Sequence, residues 1–451
     1  MTNMSSNSLF FALVFMGSTL SAKAQVQIRS IIRGEAIDDQ FGWSVSMPDD
    51  NTVAIGAPKN DGIAENAGHV RIYTLTSDPY FWIQKGADID GEAVGDNSGT
   101  SVSMPDANTV AIGSPNSDRI GILPGRGHVR VYSWSGSAWV QKGGDIDGEA
   151  IGDGSGCSVS MPDANTLAIG APNNDGGSDA GHVRVYTWSG TAWVQKGVDI
   201  DGEDMGDRSG YSVSMPDANT LAIGAYFARD GNGFLTGHVR VYSWNGTAWA
   251  QKGVDIDGEA AYDYSGHSVS MPDANTVAIG AFRNVVFSNN GQTTTTVGHV
   301  RVYTWSGAAW IQIGVDIDGQ VFNEQFGWSV SMPDANTVAI GAPDYKWAIQ
   351  NQQNKVGAAR VYSLGTVDVS EKSIDPSLNL YPNPAWNILN VKVDSKYFHT
   401  AYSIYDNTGR IVLTGKLQPE VTSIEVGSLS TGVYTFKVGE DIHQTFTVNR
   451  E

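Results

Sequence analysis

Apolar and small polar residues alternate over short runs that return along most of the chain. Ser-Val-Ser-Met, as at Ser329 to Met332, leads into a Pro-Asp-Ala-Asn turn and then Thr-Val-Ala-Ile-Gly-Ala. Gly-His-Val-Arg-Val-Tyr, as at Gly181 to Tyr186, puts Val183 and Val185 on one face and His182, Arg184 and Tyr186 on the other. That period of two marks a strand. A fourth run, Ala-Trp-Val-Gln-Lys-Gly, follows a Ser-Gly turn. Nothing in these runs carries the 3.6-residue spacing of a helix. The pattern predicts an all-β chain with four strands per unit, the first two innermost because Ser, Ala and Gly suit a crowded axis.

These runs belong to one repeat. Equivalent glycines stand at Gly34, Gly91, Gly148, Gly202, Gly258 and Gly319, separated by 57, 57, 54, 56 and 61 residues. A strand-patterned unit of this length predicts propeller blades rather than a helical solenoid, and six copies predict six blades. The sixth copy runs through Ala359 to Ser363 and stops without its Trp-bearing strand. Val26 to Arg33, before Gly34, aligns without gaps with Val140 to Asp147 before Gly148. It reads as an orphan fourth strand that closes the last blade and removes an open sheet edge.

Outside the repeats, the apolar run Leu9 to Leu20 followed by Ala22-Lys23-Ala24 predicts a signal peptide over residues 1–24. The propeller then occupies 25–364. Residues 365–377 gather Ser, Asp and Lys and read as a linker. In 378–451, strand-like runs at Asn387 to Val393, Ala401 to Leu417 (around Asn407-Thr408-Gly409), Gly432 to Val438 and Gln444 to Val448 predict a small β-sandwich. No other stretch reaches the ~20 apolar residues of a membrane span.

Charge narrows the partners. With 28 basic and 48 acidic residues the net charge is −20, which repels phosphate backbones and anionic headgroups and argues against nucleic acid. Cys157 is the single cysteine, so the fold contains no intramolecular disulfide. It stands where the other copies have Trp43, Thr100, Tyr211, His267 and Trp328, and reads as an inert, buried thiol.

Phe326-Gly327 through Gly341-Ala342-Pro343, and Phe41 to Pro58, resemble the FG-GAP repeat of integrin α-chain propellers and bacterial surface proteins. The resemblance covers roughly residues 26 to 364; Phe gives way to Ser at 98, 155, 209 and 265. It implies extracellular adhesion or ligand recognition. In that family the loop between the first two strands often carries a D-x-D-x-D-G calcium site, which here has shrunk to Pro-Asp-Ala-Asn, so that site is not carried over. Leu380-Tyr381-Pro382-Asn383-Pro384, Tyr402 to Asp406, Gly409-Arg410 and Leu429 to Tyr434 resemble a type A sorting domain of the type IX secretion system. That implies a Gram-negative cell whose secretion machinery recognises residues 378–451, exports the protein across the outer membrane, and leaves it released or surface-anchored.

Candidate chemistry begins at the connectors between units, Asp-Ile-Asp-Gly-Glu with a further Asp four residues on. These place Asp88, Asp90, Glu92 and Asp96; Asp145, Asp147, Glu149 and Asp153; Asp199, Asp201, Glu203 and Asp207; and Asp255, Asp257, Glu259 and Asp263. Oxygen ligands at alternate positions of a glycine turn suit Ca2+. The alternative is that the carboxylates accept backbone N–H groups in the bends or pair with the repeated arginines.

His69, His128, His182, His238 and His299 open the third strands. Rings in separate blade interfaces cannot converge on one ion, so a structural role is expected. The repeated serines lack the G-x-S-x-G elbow, and residues shared by every copy are explained by the fold before catalysis, so no enzyme is expected. The segments between second and third strands vary in length and carry Tyr226, Phe227, Phe282, Phe287, Tyr345 and Trp347. Variable loops on a rigid ring are where recognition resides. The function expected is a secreted binding or adhesion protein, with a glycan-binding lectin and a polysaccharide-acting enzyme as alternatives.

Overall fold

A computed structural model describes residues 32–449 apart from 77–80, 118–124, 175–178, 288–293, 350–351, 356, 365–377, 407–410 and 439–441. The 1–24 segment, most of the Val26 to Arg33 run, the 365–377 linker and the Asn407-Thr408-Gly409 turn lie outside the described residues. The chain divides into two compact units between Leu364 and Gly365.

In the first repeat the strands are β1 (Ser44–Asp49), β2 (Thr52–Ala57), β3 (His69–Leu75), β4 (Trp82–Gln84) and β5 (Ile89–Asp90). All pairs are antiparallel, in the order β1-β2-β3-β4, with β5 also on β3. Tyr73 to Leu75 pair with β4, whereas His69 and Val70 pair with β5. The two short pieces are therefore one outermost strand with a break, and the Ile89-Asp90 part of the acidic connector belongs to the sheet. The same five strands return in repeats two to five, and among the described residues repeat six supplies three to its main sheet, Ser329–Asp334, Thr337–Ala342 and Ala358–Ser363, with a separate hairpin of Lys346–Ile349 and Gln352–Lys355.

β2 is buried along its whole length, with a strand on each edge and the second sheet packed against one face. The turn before it closes on itself: Asp49 Oδ1 accepts the Asn51 N–H at 2.7 Å, and Asp106, Asp163, Asp217, Asp273 and Asp334 do the same for Asn108, Asn165, Asn219, Asn275 and Asn336.

Adjacent sheets pack face to face through one recurring contact. Ala54, Val70, Ile72 and Ile89 of the first sheet meet Met104, Val110, Ile112 and Tyr132 of the second. Burying an aliphatic side chain of this size is worth roughly 1.5–3 kcal/mol, so each interface is a core in its own right. At its inner edge Ser44 Oγ donates to the Gly99 carbonyl at 2.7 Å, and Ser46 Oγ accepts the Met104 N–H at 2.9 Å. Both bonds recur at the next four interfaces, for example from Ser101 to Gly156 and from Met161 to Ser103. The repeated serines thus tie sheet to sheet. A Cβ on Gly56 would lie 2.2 Å from the Gly99 carbonyl oxygen, and Gly99 itself has φ +86°; the close approach requires both glycines.

The array has two uncovered faces. Met47 is 57% exposed where its counterpart Met104 is 5% exposed, and Val361 is 55% exposed where Val131 is 1% exposed.

The second unit contains two antiparallel sheets. One orders Leu378–Tyr381, Ile388–Val393 and Thr422–Glu425; the other orders Ile411–Lys416, Ala401–Tyr405, Gly432–Val438 and Ile442–Val448. They share a core that includes Leu389, Ile404, Phe436 and Phe446.

Candidate functional site

The histidine that opens each third strand lies between two carboxylates. Glu35, His69 and Asp88 offer ligand atoms within 4.8 Å of one another, as do Glu92, His128 and Asp145; Glu149, His182 and Asp199; Glu203, His238 and Asp255; and Glu259, His299 and Asp316. His182 Nδ1 is 3.9 Å from Glu149 and 3.7 Å from Asp199; His299 Nδ1 is 3.6 Å from Asp316. These gaps are too long for hydrogen bonds. Both ring nitrogens of His69, His182 and His299, and Nε2 of His128 and His238, are buried without a hydrogen-bond partner. Burial pushes the imidazoles of His69 and His182 below their ordinary value, and burial together with Arg301 pushes His299 down to about 4.

The acidic connectors divide by role rather than forming one site each. Asp88, Asp145, Asp199 and Asp255 face the histidine of their own repeat, whereas Glu92, Glu149, Glu203 and Glu259 face the histidine of the next. Gln141 Nε2 donates to Asp145 Oδ1 at 2.6 Å, and Gln195, Gln251 and Gln312 hold the equivalent aspartates. Asp96, Asp153, Asp207 and Asp263 are buried and cap the bend. Asp153 Oδ2, for instance, accepts the N–H groups of Glu149 and Ala150 at 2.9 and 2.7 Å. Asp90, Asp147, Asp201 and Asp257 each accept, at the backbone carbonyl, a bond from Arg130, Arg184, Arg240 or Arg301 at 2.6–2.7 Å. The sequence run therefore hides three different jobs. The signal that separates them is the recurrence of Glu, His and Asp together in five repeats and its loss in the sixth, where Gln320 and Ala358 stand.

A cavity of about 340 Å3 opens over the fourth cluster, lined by Glu203, His238, Asp255, Asp257 and Glu259 among others. Burial raises the Glu259 carboxyl, and the neighbouring Asp316 carboxylate adds to the effect against the pull of Arg301.

A second concavity, about 490 Å3, is made by repeats four to six. Tyr211, Tyr226, Phe227, Tyr264, His267, Phe282 and Trp328 line it, with Arg283, Asn323, Gln325 and Asp344 at its polar margin. The rings form one continuous cluster: Tyr211 and Tyr226 are 4.3 Å apart, Tyr264 and Phe282 stack at 5.7 Å and 19°, and His267 and Trp328 are 4.4 Å apart. Tyr211, His267 and Trp328 occupy the variable position before the first strand, and Tyr226, Phe227 and Phe282 open the variable loops. His267 Nδ1 meets the Trp328 carbonyl at 3.1 Å, and burial pushes the ring down to about 4. Tyr345 does not join this group. It packs beside the Arg360 guanidinium, 5.4 Å from its ring centre, because Arg360 is drawn to buried Glu324 at 2.8 Å. The side chains of Phe287 and Trp347 lie outside the described residues. Cys157 is partly buried next to Tyr211, and burial pushes its thiol up to about 11.

The turn where the resembled family carries calcium does not fit that ion. Its aspartate is spent on the turn's own N–H, and its remaining oxygens receive a lysine: Lys85 Nζ donates to the Ala107 carbonyl at 2.6 Å and to Asn108 Oδ1 at 2.9 Å. Lys142, Lys196 and Lys252 repeat this at the next three turns.

Comparison with known protein families matches two segments of the chain. The FG-GAP repeat model matches residues 34–73, and the secretion system C-terminal sorting domain matches residues 379–448. No curated protein matches. Among solved structures the chain is similar to PorZ of Porphyromonas gingivalis, described as an essential bacterial surface component of the type IX secretion system. The two share 12% identity over 94% of this chain and 61% of that one, with a TM-score of 0.37. The chain thus spans about three fifths of the length of that protein. The chain carries an FG-GAP repeat at residues 34–73, and its repeated antiparallel sheets are consistent with a β-propeller. Its tail is a type IX sorting domain, which engages the secretion machinery and makes the protein secreted or outer-surface located. Among the described residues no helix is long and apolar enough to cross a membrane.

Proposed function

We propose that this protein is a non-enzymatic binding protein of the cell exterior, and that its ligand enters the aromatic concavity of repeats four to six. The observation behind this reading is the placement of seven ring-bearing side chains, all at positions that differ between repeats, around one opening. Residues required only by the fold recur in every copy, whereas these do not. Broad aromatic faces beside a polar margin suit a ligand with both apolar faces and hydroxyl or amide groups.

A glycan is the ligand class favoured by that mixture of stacked rings with Asn323, Gln325 and Asp344. Among the described residues the aromatic lining belongs to repeats four to six, so one site per chain is the reading, not the several equivalent pockets of a multivalent lectin. Catalysis is disfavoured because the one histidine in the cavity is a poor base: a general base works best with its pKa near the operating pH, and His267 lies near 4.

The architecture proposed is a closed six-bladed ring. The uncovered faces at Met47 and Val361 meet, and Val26 to Arg33 adds the missing strand beside Ala358–Ser363. The two sheets of the tail form a β-sandwich. The test is a binding screen of the mature chain against glycans and extracellular matrix proteins, followed by Trp328→Ala and Tyr264→Ala. Binding that both substitutions weaken supports the reading; binding that neither affects, or silence across the screen, removes it.

A further inference from the structure

We propose that repeats two to five each hold one divalent transition-metal ion of the zinc class, bound by the buried histidine at the start of the third strand and the two carboxylates that flank it. Two ligands each ~2.1 Å from a shared tetrahedral ion lie about 3.4 Å apart. In repeat three the histidine nitrogen is 3.9 and 3.7 Å from its carboxylates, so an ion draws the three groups together by a few tenths of an ångström. Without one, both nitrogens of His182 have no hydrogen-bond partner.

The imidazoles supply the independent observation. His182 and His299 are 1% exposed and His128 3% exposed, and their unpaired nitrogens were described above. Leaving a buried polar group unpaired costs about 1–3 kcal/mol, a cost that the array carries in every one of these repeats. In repeats three and five, where the unpaired Nδ1 is the nitrogen that faces the carboxylates, coordination to a cation offsets part of it. The glutamine that grips one oxygen of each aspartate leaves the other toward the ring, the kind of outer contact that orients metal ligands. Two carboxylates offset the +2 of the ion, and the arginine beside each glutamate adds one positive charge at the rim of the site. Calcium takes oxygen ligands, whereas a set containing imidazole suits zinc and its neighbours.

Two repeats differ in instructive ways. In repeat one Arg71 fills the space itself, donating to Asp88 at 2.6 and 2.9 Å and to Glu35 at 2.5 Å. The arginines of repeats two to five place one terminal nitrogen on the backbone carbonyl of the preceding connector, as described above, and the other 3.2–3.8 Å from the glutamate of their cluster. Repeat six has lost the glutamate and the histidine together. Of the five clusters, the first therefore has both carboxylates bridged by its own arginine, whereas in the other four the arginine pairs with the glutamate. The cavity over the fourth leaves room for a further ligand, water or a group from a partner.

The experiment uses the mature full-length chain stripped with a chelator, then titrated calorimetrically with Zn2+ and with Ca2+, with bound metal counted by atomic emission. Four Zn2+ per chain are expected, with Ca2+ not competing. Glu149→Gln combined with Asp199→Asn, both at partly or fully exposed carboxylates, is expected to lower the count by one without altering the circular dichroism. Glu92→Gln with Asp145→Asn does the same at an independent site, and Glu35→Gln leaves the count unchanged. Co2+ in place of Zn2+ is expected to give visible absorption bands that fall by a quarter in each double variant. Absence of Zn2+ uptake, a count that neither double variant changes, or Ca2+ binding at equal stoichiometry overturns the proposal.

Discussion

Lys85 of the first repeat donates its ammonium to the side-chain oxygen of Asn108 in the second, 2.9 Å away. The same ammonium lies 5.2 and 5.4 Å from the ring centres of Trp134 and Trp139, and Trp139 Nε1 returns a bond to the Lys85 carbonyl at 2.7 Å. One side chain thus clamps two sheets through two hydrogen bonds and two aromatic faces.

Lys142→Met, which keeps the stem and removes the charge, is expected to cost about 1–3 kcal/mol from the lost charged hydrogen bonds and cation–π contact. Denaturant midpoints of the variant and parent check this. A midpoint within experimental error of the parent removes the clamp.

Gly113→Ala is expected to be far more damaging, because its Cβ would lie 2.1 Å from the Gly156 carbonyl oxygen and 2.3 Å from Ser101 Oγ. A loss above roughly 3 kcal/mol, or failure to fold, follows from forcing two sheets apart. Gly144→Ala is the control, since nothing lies within 4 Å of its added carbon. Its expected change is within about 0.5 kcal/mol. Comparable thermal shifts for the two would show that the sheets do not approach as closely as described.

Cys157 gives an alkaline signature. Its thiol holds a proton to about pH 11 in the folded chain against an ordinary value of 9.0. Between those values the unfolded chain releases the proton and the folded chain does not, so this contribution is intact below pH 9 and is lost as pH rises. Cys157→Ala is expected to flatten the fall in melting temperature between pH 9 and 11. The native thiol is also expected to react slowly with Ellman's reagent at pH 8, and rapid labelling would contradict its burial.

Trp328→Ala is expected to weaken ligand binding at least tenfold, the loss of an aromatic anchor. Its melting temperature is expected to fall only modestly, because the ring is 36% exposed and packs on His267 and Phe282 at the margin of the array. A large stability loss instead would assign Trp328 to packing.

Removing residues 25–33 tests ring closure. The shortened mature chain is expected to melt lower and to associate, having an open edge at Ala358–Ser363. An unchanged, monomeric shortened chain would place the closure elsewhere.

Much of this was legible in the residues themselves. The repeat, its four strands and the sorting tail follow from motifs that act locally, and Tyr226, Phe227 and Phe282 were marked by their variable loops. The carboxylate run was harder, because neighbours such as Asp145 and Glu149 face different histidines, and only the sheet register separates them. Tyr211, His267 and Trp328 were visible as a variable position, but nothing in a single sequence says that three consecutive copies turn their rings into one space. Arg360 drew Tyr345 away through a buried glutamate that replaces the usual aspartate, a substitution whose effect depends on side-chain length.

The sameness of the sheet interfaces has its own hazard. The face that Met104 offers the first sheet is nearly the face that Met161 offers the second, so chemistry alone does not distinguish a correct neighbour from one repeat too far, or from another molecule. Only the short connections impose the order. A chain that reaches high local concentration before all its repeats have docked therefore carries the means to polymerise, and rapid docking of consecutive repeats is the protection that the shared interface demands.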